Sequence, residues 1–190
     1  MRLTEPVVGP AFGLRSPAEG DAQFIVDLRC DPEVARFLHP IPGDLESQRA
    51  WEAAAMARDD DLPLVVFRRT TGAPVGGIGI SRIDRALEAA EWGRWALRRN
   101  SLAAVESVFL VFTTGFEVLG LGSLYCRTLA DNARAIAFHD SLGLRRELTG
   151  VLDVDGRSAP FVQHRIAKDA WPEARERLRI LAVGVARRLA

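Results

Sequence analysis

Residues 97–104 (Leu97, Arg98, Arg99, Asn100, Ser101, Leu102, Ala103, Ala104) put two arginines and two short polar side chains between a strand pattern and a helix pattern. A helix start offers backbone N–H groups with no intrahelical acceptor, and it carries the positive end of the helix dipole. A strand feeding such a start through a basic turn can hold phosphate. Asn100 and Ser101 can cap the helix, Ala103 and Ala104 allow close approach, and Arg98 and Arg99 can add charge-assisted bonds. The alternative is a capped, buried helix flanked by two solvated arginines, and the turn contains no glycine.

The elements around this turn follow from periodicity. Phe12–Ser16 reads as a short first strand, and Ser16-Pro17 as the cap and first turn of a helix over roughly 17–29. "DPEVARFL" opens a second short helix in the same way, and "LESQRAWEAAAMA" is a third. The period then changes from helical to alternating. "LPLVVFRR", "VGGIGISRID" and "EAAEWGRWAL" form an antiparallel meander. Strand alternation puts Glu91, Gly93 and Trp95 on one face and Trp92 and Arg94 on the other. Leu102, Val105, Phe109, Phe112, Phe116 and Leu119 recur at steps of three and four, a helix stripe stopped by Gly120 and Gly122. "SLYCRTLA" is the next strand, Asp131-Asn132 caps a helix to Leu142, and Gly143 stops it. A hairpin turning at Asp155-Gly156 and a final helix from Trp171 complete the chain. Residues 1–11 read as a loose leader.

This order predicts one α/β (α+β) domain over residues 1–190. It has a central mixed, mostly antiparallel sheet of about seven strands, flanking helices and an extra C-terminal helix. Zero net charge gives no reason to expect a nucleic-acid partner. Cys30 and Cys126 are far apart and lack metal spacing, so neither a disulfide framework nor a metal is expected. No apolar run is long enough to span a membrane and the N-terminus does not suit a signal peptide, which points to a cytoplasmic protein. The C-terminal stripe of Leu178, Leu181, Val185 and Leu189 suits docking on the domain itself or on a second copy, a homodimer.

The order of elements, together with "DNARAIAFHDSLGLRREL" (Asp131 to Leu148), resembles the GNAT N-acetyltransferase superfamily. Members often show D/A-N-x-x-A-I-x-x-Y-x-x-x-G-F on the helix after the fifth strand. Asn132, Ala135, Ile136, His139, Gly143 and Leu144 stand at those places. Stretches before and after this motif are similar to the subgroup of ribosomal-protein alanine and amino-sugar-nucleotide acetyltransferases. The resemblance covers roughly residues 12–172. It implies acetyl-CoA as co-substrate, with the pantetheine arm between splayed strands "EWGRWAL" and "SLYCRTL" and the pyrophosphate at the following helix start. The usual R/Q-x-x-G-x-G/A falls on Arg99–Ala104, where both glycines are missing. Residues 97–104, with Asn132, Ala135 and Phe138 from the motif helix, are then the cofactor-binding candidates.

The resemblance also assigns chemistry. His139 stands where the family tyrosine acts as an acid, and an imidazole can donate a proton near neutral pH. It could act in catalysis or stabilise the thiolate; the bland alternative is a histidine satisfied by a backbone carbonyl. Glu91 is the base candidate for the acceptor amine, with a salt-bridged glutamate as its alternative. Trp51 and His39 flank the segment that covers the acceptor in the family, although packing suits them better. A small-molecule amine, such as an amino sugar, is the expected acceptor. A protein N-terminus and a non-catalytic acyl-CoA-binding module are the alternatives.

Overall fold

The computed structural model describes residues 1–154 and 156–189. Eight strands form one sheet: β1 (Val7–Val8), β2 (Phe12–Arg15), β3 (Asp61–Arg68), β4 (Pro74–Asp84), β5 (Ala89–Leu97), β6 (Ser123–Leu129), β7 (Arg145–Val154) and β8 (Arg157–Ala167). Their spatial order is β1-β2-β3-β4-β5-β6-β8-β7. Every neighbouring pair is antiparallel except β5–β6. The helices are α1 (Asp21–Cys30), α2 (Pro32–Ala35), α3 (Leu45–Ala57), α4 (Ala104–Thr113), α5 (Ala133–Ser141) and α6 (Trp171–Leu189). A π-helical turn, Thr114–Val118, extends α4.

The eighth strand, β1, lies in the leader that was expected to be loose. Val7 and Val8 pair with Leu14 and Gly13. The Met1 ammonium donates to the carbonyls of Met56, Arg58 and Asp61, and Leu3 N–H donates to Ser16 Oγ at 2.9 Å. Glu106, fully buried in the first turn of α4, accepts from the N–H groups of Ala11 and Phe12 at 2.8 and 2.9 Å. Burial pushes its carboxyl above the ordinary value, against the two N–H bonds.

Ser16 is therefore not a helix cap. Helix α1 begins at Asp21, whose carboxylate accepts from Ala18 N–H and from Arg15. Helix α3 matches the expected span, capped by Asp44 accepting from Ser47 N–H at 2.7 Å. Asn132 caps α5 through Ala135 N–H, and Gly143, at φ +75°, ends it in the left-handed region that favours glycine. In the β7–β8 hairpin Gly156 lies in the turn at φ +73°, while Asp155 falls outside the described residues.

Two apolar layers sandwich the sheet. Leu62, Leu64 and Val66 point toward the large core under α4 and α6, with Trp92, Phe112, Phe116, Trp171 and Leu178. The alternate residue Val65 packs on the other side, where Ile25 of α1 closes on Gly77. Of the predicted α4 stripe, Phe109, Phe112 and Phe116 are buried, whereas Leu102 lies before the helix and is exposed. Helix α6 docks on α4 through Trp171, Ala174, Leu178 and Ala182, leaving Leu181 exposed. Among the described residues no helix is long and apolar enough to cross a membrane.

Candidate active site

Strands β5 and β6 pair over only three residues: Ala89 with Ser123, Ala90 with Leu124 and Glu91 with Tyr125. Beyond Glu91 they part, and the fork opens toward the start of α4. The edge of β5 at the fork is bulged. Gly93 pairs with Gly79 and Ala96 with Gly77, so two residues oppose one, and Arg94 takes φ +52°. The bulge overturns the simple alternation expected for this strand. Trp95 joins Trp92 on the α4–α5 face, at 6.1 Å between ring centroids. Arg94 goes to the opposite face and pairs with both oxygens of Asp61, at 3.0 and 2.5 Å. A Cβ on Gly79 would meet this guanidinium at 2.3 Å, which accounts for one glycine of "VGGIGI".

The basic turn follows β5 directly. Leu97 is the last strand residue, and Arg98 N–H donates to Val75 O at 2.8 Å. Asn100 sits in the left-handed region at φ +59°, a conformation that asparagine tolerates better than most residues. The helix starts at Ala104, later than the sequence suggested. Ser101 Oγ accepts from Ala103 N–H at 3.3 Å, and Ala103, the residue before the helix, offers no side-chain cap. The first N–H groups of α4 thus have neither an intrahelical acceptor nor a capping side chain. Arg98 stacks over Phe24 at 5.0 Å, and both arginines line a cavity of about 330 Å³ with Asp27 and Asp31. Free N–H groups, small side chains and two cations fit a phosphate-bearing cofactor, even without glycine.

The α4–α5 face of the fork is dry and aromatic. Trp95 stacks on Phe138 at 5.3 Å and donates Nε1–H to Ser107 Oγ at 3.0 Å. His139 lies under Trp92 at 5.2 Å between ring centroids and is 3% exposed. Its Nδ1 is 3.3 Å from Thr128 Oγ1 and 3.6 Å from Cys126 Sγ, and its Nε2 has no partner. Burial, helped by His164, pushes His139 down to about 4. The imidazole is therefore neutral at pH 7, so it can offer an N–H bond but has no extra proton to donate as an imidazolium. A neutral, buried imidazole suits the stabilisation of a thiolate by hydrogen bonding better than it suits an acid. Burial likewise pushes the Cys126 thiol up to about 12.

His164, fully buried on β8, bonds Asp140 at 3.1 Å through Nε2, and its Nδ1 is unpartnered. Hydrogen bonds from Arg146 and His164 hold the Asp140 carboxyl well below the usual range. Cys126 Sγ and one nitrogen each of His139 and His164 lie within 4.8 Å of one another. These are the described residues that could hold a metal ion. The sequence did not reveal the cluster because its members come from β6, α5 and β8 rather than from one local motif.

The opposite face carries the charges. Glu91, at the last paired position before the fork, is gripped through both oxygens by Arg127 at 3.1 and 2.5 Å, with Arg82 at 3.4 Å. Glu91 and His139 thus bracket the point where the strands part, one from each side of the sheet. Next to Arg94 a cavity of about 430 Å³ opens between α1, α3 and strands β3–β5. Its walls include Trp51 and His39, as well as three polar residues the sequence reading missed: Arg29, Gln48 and Glu52. Glu52 is 5% exposed and accepts from Gln48 Nε2 at 2.8 Å. Burial pushes its carboxyl up, against the Gln48 bond. The available signal was two polar residues four apart on the buried face of α3, in line with Ala55.

The acetyltransferase (GNAT) domain profile matches residues 12–145. No functionally curated protein matches the sequence. Among solved structures, a GCN5-related N-acetyltransferase from Brucella melitensis superposes with a TM-score of 0.81 at 21% identity, over 95% of this chain and 86% of that one. Apo FdhC, a nucleotide-linked sugar GNAT, gives 0.79 at 23% identity over 94% and 99%. A variant of the spermidine N-acetyltransferase SpeG from Vibrio cholerae gives 0.73 at 16% identity over 85% and 96%. At these identities the likeness establishes the fold, and the acceptors named for those proteins differ from one another. The domain match over most of the chain, the parted β5–β6 pair and the open helix start agree: this chain belongs to the GNAT family of acyl-CoA-dependent N-acetyltransferases.

Proposed function

We propose that this protein moves acetyl from acetyl-CoA to the primary amine of a small molecule lodged between α1, α3 and the sheet. The observation that carries this reading is the adjacency of the β5–β6 fork to the 430 Å³ cavity, whose wall includes Arg94 and Ala96 of β5 just past the last β5–β6 pair. The cavity's volume suits a small ligand. Acetyl-CoA supplies the activated thioester. The N–H groups at the start of α4, with Arg98 and Arg99, hold its phosphates, and residues 97–104 line its approach. Asn132 fixes the start of α5, and Ala135 and Phe138 flank the fork from that helix.

Glu91 accepts the proton of the acceptor ammonium, directly or through water, while Arg127 and Arg82 hold its carboxylate at the fork. With the Thr128 hydroxyl donating to Nδ1, His139 carries its proton on Nε2. That N–H stabilises the departing sulfur by hydrogen bonding rather than by full proton transfer.

The test is calorimetric titration with acetyl-CoA, followed by an amine screen that reads free CoA release. Saturable binding with turnover supports the reading. Binding without turnover on any amine would make the chain an acyl-CoA-binding module, and no binding at millimolar acetyl-CoA would remove the enzyme reading. Within the reading, His139→Phe should lower kcat while acetyl-CoA binding persists. Glu91→Gln should lower kcat while acetyl-CoA binding persists, and a near-normal rate would exclude Glu91 as the base.

A further inference from the structure

The acceptor cavity holds two guanidinium groups but only one of them has a counter-charge. Arg94 is engaged through both of its terminal nitrogens by Asp61. Arg29 makes no ion pair among the described residues. Its Nη2 donates to the His39 carbonyl at 2.6 Å, its Nε is buried without a partner, and its Nη1 is unused among the described residues. Burial and the nearby Arg94 cation both push the Arg29 guanidinium down from its ordinary value. The cavity's one carboxylate, Glu52, is bonded to Gln48 instead. An arginine desolvated beside a second cation, with donors left over, costs stability unless something anionic completes it. Most of the remaining wall, including Ile25, Leu28, Ile41 and Ile78, is apolar.

We infer that the acceptor amine carries its own anionic group, a carboxylate or a phosphate, which Arg29 binds while an apolar body fills the cavity. This rests on the acetyl-transfer reading above and narrows its substrate class. A planar, forked guanidinium matches either anion through paired N–H bonds. Arg29 shares the cavity with Arg94 and Ala96 of β5, which sets that anion in the same cavity as the reacting amine. An amino acid with an apolar side chain has this layout, and so does a short phosphorylated amine.

Matched pairs test the inference. Leucine against isoamylamine and phenylalanine against phenethylamine isolate the carboxylate, and phosphoethanolamine against ethanolamine isolates the phosphate. Each pair is measured for kcat/KM with acetyl-CoA and for calorimetric binding in the presence of CoA. The anionic member of at least one pair is expected to win by about tenfold or more, the size of a charge-assisted bond. In Arg29→Gln that preference should collapse, mainly through KM, and in Arg29→Lys it should partly return. A panel in which neutral amines bind and react as well as their anionic partners would overturn the inference, as would an Arg29→Gln variant that lowers both members of a pair equally. The wild-type pairs decide even if the variant folds poorly. Selective binding of an anionic amine without acetyl transfer would uphold the Arg29 site while removing the transfer reading.

Discussion

The two faces of the sheet at the β5–β6 fork are built from opposite materials. On the α4–α5 side, Trp92, Trp95, Phe138 and His139 pack edge to face and stacked, and His139 is held neutral. On the α1–α3 side, Arg94, Arg29 and Glu52 surround open volume, and Glu91 is ion-paired with Arg127. In the proposed reaction, one side would keep water away from the leaving sulfur and the other would offer charge to the incoming amine. A transferase needs both, because polarisation is strongest where water is excluded, whereas amine exchange needs an opening.

The largest expected effect breaks the dry side. Trp92 is 1% exposed against Phe112 and His139, so Trp92→Ala should cost about 3–5 kcal/mol in urea unfolding. The second prediction uses pH. An unfolded chain protonates His139 below about pH 6.5, but the folded chain does so only near 4. Acid therefore removes stability progressively as pH falls through that window, and all of this contribution is present above it. The loss should total about 3 kcal/mol, and His139→Phe should flatten that part of the stability–pH curve. Next in size, Arg98→Ala with Arg99→Ala should weaken acetyl-CoA binding about tenfold, the worth of one or two charge-assisted bonds. Smallest is the open side. Trp51, 43% exposed under Arg94, should lose about 0.5 kcal/mol or less of stability as Trp51→Ala. An equal cost for Trp51→Ala and Trp92→Ala would erase the contrast between the faces.

Much of the architecture was legible because local signals agree with the fold. Asn132 caps the helix it was read to open, and Gly143 ends α5. The turn at residues 97–104 was legible as a helix start, but neither Asn100 nor Ser101 caps α4, which begins at Ala104. What was not legible arises from contacts across sequence distance. Ser16 looks like a cap, but Leu3 claims its hydroxyl, and α1 starts at Asp21 with no side-chain cap. The leader looks loose because β1 is only two residues long and Glu106 anchors it from nearly a hundred residues away. Arg29 and Glu52 lie on helices whose polar residues read as solvent-facing until α1, α3 and the sheet enclose them.

The bulge at Arg94 makes chain length as important as residue type. Substituting Arg94 removes an ion pair but leaves the extra residue in place, so Trp95 still reaches Phe138 and Ser107. Deleting one residue between Gly93 and Ala96 would let β5 pair with β4 without interruption, and the aromatic lining would be shifted or lost while the strand itself survived. Among related sequences, drift by substitution should therefore be common at this position, and a gap there should mark chains whose fork has been rebuilt or no longer works.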